Sequence, residues 1–508
     1  MRLFRTLLLL LGLAPSLAAQ LPSHAYIPLD HWSMPYLEHL VDRRVLTDPT
    51  PMVRPWTVAA VRKALADIDP ADLSADEMAL VRRLRETFVI DAEWVGVSIE
   101  ADVGVWGASH RRLNSDLRQV GDGNVFPRFS GNATLQSGNV ALVMHPRWDP
   151  NFQDDPDYGG RDVAVKVIYP EAYGALRTRF VDVDFGRLRR NWGPVGFPGL
   201  LVSSVPYSYD HLYIRAGPDQ LYLQMFISQI DDMVNDQGEQ SRRYWVAHRL
   251  IGNFAKILTL SAWEGSIVSG PNRTFEMWYL NPVALQFQGE DEQNRSTNVL
   301  IGGDGELRIP GGPRLSGSLT IDDLQLFRST RNNEPASYAL TGTVVWPVKR
   351  SSIFLGYTQV SNLSYRTPDP SEALLIDQNL TRGHVGAGLA RNFTDYDQTT
   401  LKVKLMPVSG VLLSPEITVL RQGEGDLRRP FPPASLNAVT PTLFDGVVET
   451  TWRFALGGEM FHRNGLRLSF NAGVHHVRDA GHVDGATSTD LVARFHLRYM
   501  FGNAWPLH

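Results

Sequence analysis

The sequence predicts an all-β transmembrane barrel of about eighteen antiparallel strands preceded by a small N-terminal helical bundle, and three observations carry that expectation. From Trp94 onward, segments of roughly ten residues alternate apolar and polar positions again and again, one face accepting charge and the other almost none. The connections between these segments alternate short and long, as in barrels with tight turns at one rim and loops at the other. No stretch beyond residue 20 approaches the ~20 uninterrupted apolar residues of a membrane helix, so a membrane location requires strands.

Bulk properties exclude several functions. The 508 residues carry 49 basic and 54 acidic side chains, a net charge of -5, so nothing recruits nucleic acid by bulk charge. Cysteine is absent, which removes disulfides, thiolate metal sites and cysteine nucleophiles.

Residues 1–19 read as a signal peptide: Arg2 and Arg5 form the positive end, Leu7 to Leu13 the apolar run, and Leu17-Ala18-Ala19 a small-residue cleavage site. The expectation is export. Residues 20–90 form a helical region, expected on the periplasmic side. Leu37, Leu40, Val41 and Val45 share one helical face, as do Val58, Val61, Leu65 and Ile68. Ser74-Ala75-Asp76-Glu77 is a capping-box pattern that starts a third helix through Met78, Leu80, Val81 and Leu84. Three short amphipathic helices make a marginal domain alone, and a cap or plug when packed on a larger body.

Residues 91–508 are the predicted barrel. Val95, Val97, Ile99, Ala101, Val103 and Val105 alternate with Gly96, Ser98, Glu100, Asp102 and Gly104. The same period returns around Val299 to Ile309, Leu315 to Ile321, Leu466 to Val474 and Leu491 to Phe501. Short turns are expected at Ser137-Gly138, Pro170 to Ala172, Gly217 to Asp219, Gly252-Asn253, Pro310 to Pro313, Pro347 to Arg350, Ser409-Gly410 and Phe461 to Asn464. Keeping the alternation requires 274–288 and 384–392 to belong to external excursions, and the count is then eighteen. Leu491 to Phe501 resembles a closing outer-membrane strand read by the barrel-insertion machinery, with seven residues, Gly502 to His508, beyond it.

The most suggestive functional stretch runs from Phe185 to Pro194. Val181, Val183 and Phe185 form a greasy face opposite Asp182, Asp184 and Gly186, and the strand then meets Arg187, Arg189, Arg190, Asn191 and Trp192. Guanidiniums grip carboxylates, and an indole stacks on a sugar ring. Arg189, Arg190, Asn191 and Trp192 are therefore the expected polysaccharide contacts at an external loop. Arg187 is expected as a brace in a lumenal charge network with Glu264, Asp304 and Asp322, because wide barrels fill their interior with paired charge.

This stretch resembles the Wzi-type capsule-assembly proteins of bacterial outer membranes. The resemblance continues through Trp245 to Leu250, Leu260 to Gly265, Tyr279-Leu280-Asn281-Pro282, Gly302-Gly303-Asp304 and Ile321 to Gln325, and so spans about residues 170–330. It implies an eighteen-stranded barrel with periplasmic helices, located in the outer membrane, acting as a lectin that helps surface polysaccharide attach to the cell. The implied partners are surface polysaccharide and outer-membrane lipid, with no cofactor.

Other motifs carry less. Asp231-Asp232, Asp322-Asp323 and His475-His476 cannot chelate as pairs within a strand, since neighbours point to opposite faces. The loop from Asp149 to Asp162 holds Asp149, Asp154, Asp155 and Asp157, but the twelfth position from Asp155 is Lys166 rather than Glu, which fails the EF-hand pattern and leaves a solvated acidic loop. Gly386-Ala387-Gly388 lacks the context of a dinucleotide site. No Gly-x-Ser-x-Gly is present, so a non-enzymatic binder is expected, with a porin or substrate channel as the alternative.

Overall fold

A computed structural model describes residues 20–113, 115–159, 166–281, 283–286, 297–322, 336–376, 386–462 and 464–507. The expected signal peptide, Pro282 and Asp323 lie outside the described residues.

Eighteen antiparallel strands close into one barrel. In chain order they are β1 (Gly96–Ala108), β2 (Asn124–Ser137), β3 (Val140–Trp148), β4 (Val167–Arg177), β5 (Val181–Arg187), β6 (Asp210–Ala216), β7 (Leu221–Val234), β8 (Gln240–Phe254) and β9 (Leu258–Pro271). They continue as β10 (Thr297–Arg308), β11 (Arg314–Asp322), β12 (Ser337–Val348), β13 (Ser351–Val360), β14 (Tyr396–Val408), β15 (Val411–Gln422), β16 (Glu449–Phe461), β17 (Leu466–Arg478) and β18 (Thr487–Pro506). Each pairs with its chain neighbour, and β18 closes on β1 from Gly96↔Pro506 to Ala108↔Arg494.

The burial pattern is inverted relative to a water-soluble barrel. On β1, Ser98, Glu100 and Asp102 are buried in the lumen, whereas Ile99 and Val105 stand exposed on the outer wall. Phe185, Leu250, Leu260, Leu319, Leu355, Phe454 and Leu491 continue that apolar exterior around the strands. Exposed apolar surface on this scale requires an apolar solvent. No helix of the described residues is long and apolar enough to span a bilayer.

Several predicted boundaries move. Pro170 to Ala172 lies inside β4, and the turn falls at 178–180, where the Val181 N–H donates to Thr178 Oγ1. Proline is tolerated there because the β3–β4 register shifts between His145 and Arg147. Gly502 to Pro506 extends β18 rather than trailing it, because these residues continue the ladder against Gly96 to Glu100. Neither segment assigned to an external excursion forms a wall strand in its described part, but the second is not external: 277–280 is a short 3₁₀ turn, whereas Ala387–Gly388 pairs with Leu375–Ile376 in a separate two-stranded sheet whose residues are buried in the lumenal core.

Three α-helices occur in the N-terminal region of the described residues: α1 (Met34–Asp42), α2 (Val58–Ala66) and α3 (Ala75–Thr87). The Ser74 side chain accepts from the Glu77 N–H while Glu77 accepts from the Ser74 N–H, which completes the predicted capping box. Leu37, Leu40, Val61, Leu65, Leu80 and Leu84 share one apolar cluster with Met406, Leu412, Phe461 and Met500 of the barrel.

The helices sit at the short-turn end. Tyr36 Oη donates to the Gly410 carbonyl at 2.7 Å, Arg83 to His462 O at 3.1 Å, and Asp76 takes Arg350 at 3.2 Å. Inside the rim, Asp42 joins Lys404 at 2.6 Å and Arg314 at 2.5 Å. The region is a cap at that rim, and its segment around Tyr26 and Val53 continues into the lumen.

Candidate functional site: the filled lumen and its cavity

The stretch after β5 turns inward. Asn191 and Trp192 form a two-stranded sheet with Val53 and Arg54 of the N-terminal segment, so a long-connection loop and the short-turn cap meet inside the barrel. The Trp192 N–H donates to Val202 O at 2.9 Å and the Gly193 N–H to Met52 O at 2.8 Å. Asn191 organises the loop: its Oδ1 accepts the Gly199 N–H at 2.8 Å. A Cβ at Gly199 would stand 2.2 Å from the Val202 carbonyl oxygen, so the close approach needs glycine.

Parity explains where each arginine goes. Arg187 shares its strand face with Phe185, the outer wall, and pairs with Asp210 at 3.0 Å with both side chains well exposed. It is a rim pair, not the expected lumenal brace. Arg190 is buried against Asp184 at 2.6 Å, donates to His211 Nε2 at 3.0 Å, and lies 3.8 Å over the Tyr213 ring.

Trp192 is 2 % exposed, edge-on to Phe226 at 6.4 Å, with Arg249 at 5.4 Å over its ring. Arg190, Asn191 and Trp192 thus lie in the lumen rather than on the external loop surface expected for them. The loop is drawn inward because the wide lumen must be filled and its apolar side chains find a core there. Arg189 is part-buried and lies close enough to Asp30 and Glu171 to act on both carboxyls. Burial pushes the Asp30 carboxyl up, but Arg147, His145 and Arg189 together hold it well below the usual range.

The proposed lumenal network separates into local pairs. Asp304 receives both NH2 bonds of Arg249, at 2.7 and 2.8 Å, plus Ser261 Oγ at 2.6 Å. Glu264 accepts the Gln286 N–H at 3.0 Å and faces His248 at 3.6 Å. Asp322 accepts the Tyr365 N–H. Asp304 has the arginine partner expected of a brace, but it is Arg249.

A second connection, between β13 and β14, also folds inward. Tyr365 Oη donates to Leu200 O at 2.9 Å and Ser203 Oγ to Leu389 O at 3.0 Å, tying the two loops together. Arg243 of β8, fully buried, holds the carbonyls of Ser371, Ala373 and Leu375 at 2.6, 2.6 and 2.9 Å. Trp192, Leu200, Leu201, Tyr365, Leu374 and Leu389 form one core with the wall residues Tyr213, Phe226 and Trp245.

Beside this plug lies a cavity of about 300 Å³. Its lining comes from the β1–β2 connection (Asp116, Arg118), the two inward loops (Phe197, Arg391, Phe393) and the β14–β18 wall (Tyr396, Glu416, Arg453, Arg494). Asp116 pairs with Arg494 at 3.2 Å, and Glu416 with Arg453 at 3.3 Å and Lys402 at 2.8 Å. The alternation of β14 marks Tyr396, Gln398, Thr400 and Lys402 as lumenal from sequence alone. Phe197, Arg391 and Phe393 stand in aperiodic loops and carry no such signal.

The β3–β4 acidic loop, expected to be solvated, is described as far as residue 159, with Asp162 outside the described residues; Asp154 is exposed, but its acidic neighbours are not. Asp149, Asp155 and Asp157 are all buried. Asp157 pairs with Arg112 at 2.9 Å, and Asp155 accepts Tyr207 Oη at 2.9 Å and the Leu113 N–H at 3.1 Å, which latches three long connections together. Burial, then the neighbouring Asp157, pushes the Asp155 carboxyl up to about 6.

Because the folded state holds this proton more tightly than the unfolded one, loop stability falls as pH rises from about 4 to 6 and stays lower above. The loss at neutral pH is roughly 2–3 kcal/mol. Hydrogen-exchange protection factors in 109–113 and 201–209 are expected to rise on acidification from pH 7 to 4.5, and Asp155→Asn to flatten the profile. A pH-independent wild-type profile would remove Asp155 as the latch.

No protein-family model and no curated protein matches the sequence. Among solved structures, the fold is similar to Wzi, an outer-membrane carbohydrate-binding β-barrel involved in group 1 capsule assembly in Escherichia coli. The identity is 13 %, the TM-score 0.60, and the match covers 91 % of this chain and 96 % of that one. OccAB4 of Acinetobacter baumannii matches at 11 % identity and TM-score 0.45, covering 81 % of this chain and all of that one. OpdQ of Pseudomonas aeruginosa matches at 10 % identity and TM-score 0.43, covering 81 % and 99 %. The chain therefore has the closed eighteen-stranded barrel fold, similar over nearly its whole length to that of Wzi.

Proposed function

We propose that this chain is a lectin-like outer-membrane barrel that binds surface polysaccharide and helps to attach or assemble it, without catalysis. The observation that carries the reading is the filled lumen: a cap from one rim and two loops from the other meet in a shared core. A barrel built this way suits holding a polymer at its long-connection face better than passing solutes. The likeness in fold to a carbohydrate-binding barrel supports the same reading. In this orientation the helical cap is periplasmic, the exposed apolar wall faces lipid, and β18 is the strand the insertion machinery engages.

Binding would be shallow and repeated along the polymer, with avidity replacing strong single contacts. Two measurements on the purified full chain decide between this and a porin or substrate channel. Planar bilayers are expected to show no large, stable conductance, and a glycan array to show retained polysaccharide. Open channels together with an array that stays blank would sink the lectin reading.

A further inference from the structure

Among the charged groups lining the cavity, Arg391 is set apart. It is 2 % exposed, and among the described residues its guanidinium donates only to neutral oxygens, to Tyr396 Oη at 3.2 Å and to Thr341 Oγ1 at 2.8 Å. Among the described residues its Nε has no hydrogen-bond partner and no carboxylate pairs with the guanidinium. The neighbouring Arg453 and Arg494, by contrast, each have an acid at 3.2–3.3 Å.

A buried, uncompensated cation is strongly unfavourable, and proteins neutralise it with a counter-charge. Arginine cannot do so by releasing its proton. An anion from outside the described chain would supply the missing counter-charge.

The surroundings narrow its chemistry. A guanidinium presents forked donors that match a carboxylate in two parallel bonds. Phe197 lies 6.0 Å from the Arg391 guanidinium, and Phe393 and Tyr396 also line the chamber, so the space beside the charge offers flat apolar faces to a ring. At about 300 Å³ the chamber stands at the small end of ligand pockets, room for a ring or two and not for a threaded polymer. The Arg494 side chain at its edge is 36 % exposed, which leaves a way in.

We propose that the lumenal chamber binds one ring-borne carboxylate, a uronic acid either free or at a chain end, with Arg391 as the anion-holding residue and Phe197 against the ring. The inference rests on the polysaccharide-binding reading for its choice of a sugar ring, and it adds an internal site to a surface one.

Titration calorimetry on the detergent-purified full chain tests it, with sodium glucuronate, glucose, sodium sulfate and a tetrasaccharide ending in glucuronate as probes. Glucuronate is expected to bind and glucose to give no heat. Arg391→Met should weaken glucuronate at least ten-fold with heat-modifiable migration intact, since the residue removed is an unpaired charge. Arg391→Lys keeps the charge and loses the fork, and should bind several-fold more weakly; it serves if the Met variant does not fold.

Wild-type affinity in both folded variants, or equal binding of glucose, overturns the proposal. Full displacement of glucuronate by equimolar sulfate overturns the ring and leaves an adventitious ion only. Binding of the tetrasaccharide but not of free glucuronate assigns the site to chain ends, and the reverse assigns it to the free acid. Lost array binding with glucuronate binding intact would sink the surface lectin and spare the chamber; the opposite result would sink the chamber alone.

Discussion

Asp184→Asn is expected to destabilise the barrel by about 3–5 kcal/mol, the cost of removing one member of a buried charge cluster. Asp184 stands on the lumenal face of β5 and receives Arg177 at 2.6 Å, Arg190 at 2.6 Å and Tyr26 Oη at 2.8 Å, all from buried groups. The amide keeps the shape and removes the charge, which leaves two guanidiniums in the lumen without their counter-ion. Tyr26 belongs to the N-terminal segment, so the same change loosens the cap. The readouts are the temperature at which the folded band converts in a detergent gel and protease cleavage near Tyr26. Both should shift together. An unchanged conversion temperature would show that Arg190 is not held by Asp184 and would return it to the candidates for polymer contact.

Trp192→Ala is the second large effect. Truncating a buried aromatic of this size costs about 3–5 kcal/mol. The loss falls where the β5–β6 loop meets Val53, at the junction of the cap and the loops. The loop core should come apart before the wall does, because the eighteen-strand ladder does not pass through Trp192. The expected result is a folded, heat-modifiable barrel that conducts ions in planar bilayers where the wild type is silent. A silent, normally stable variant that has lost polysaccharide binding would instead mean that Trp192 reaches the polymer. The pair of variants separates a bracing role from a contacting one for the whole stretch from Gly186 to Pro194.

The wall was legible because two solvents act on it. An apolar exterior and a polar lumen impose a period of two on every strand, and that period is written locally in β1, β10, β11, β17 and β18. The same rule, applied strictly, sends Arg187 to the outer face with Phe185, so its rim position was readable and the lumenal role expected for it was not. The capping box at Ser74 was legible for a similar reason, since all its partners lie within one helical turn.

Tertiary structure decided the interior. Whether a long connection extends into water or folds into the lumen depends on what it meets there, and no short-range pattern encodes the meeting of Trp192 with Val53, of Tyr365 with Leu200, or of Asp155 with Tyr207. Arg249 rather than Arg187 answers Asp304 because register across β8, β9 and β10 brings those two lumenal faces together. The sequence by itself determined the alternating strands, the two faces of the wall and the three helices, all set by residues within a few positions of one another. The plug, the charge pairs and the chamber around Arg391 arise from groups far apart in the chain, and only the closed barrel makes them neighbours.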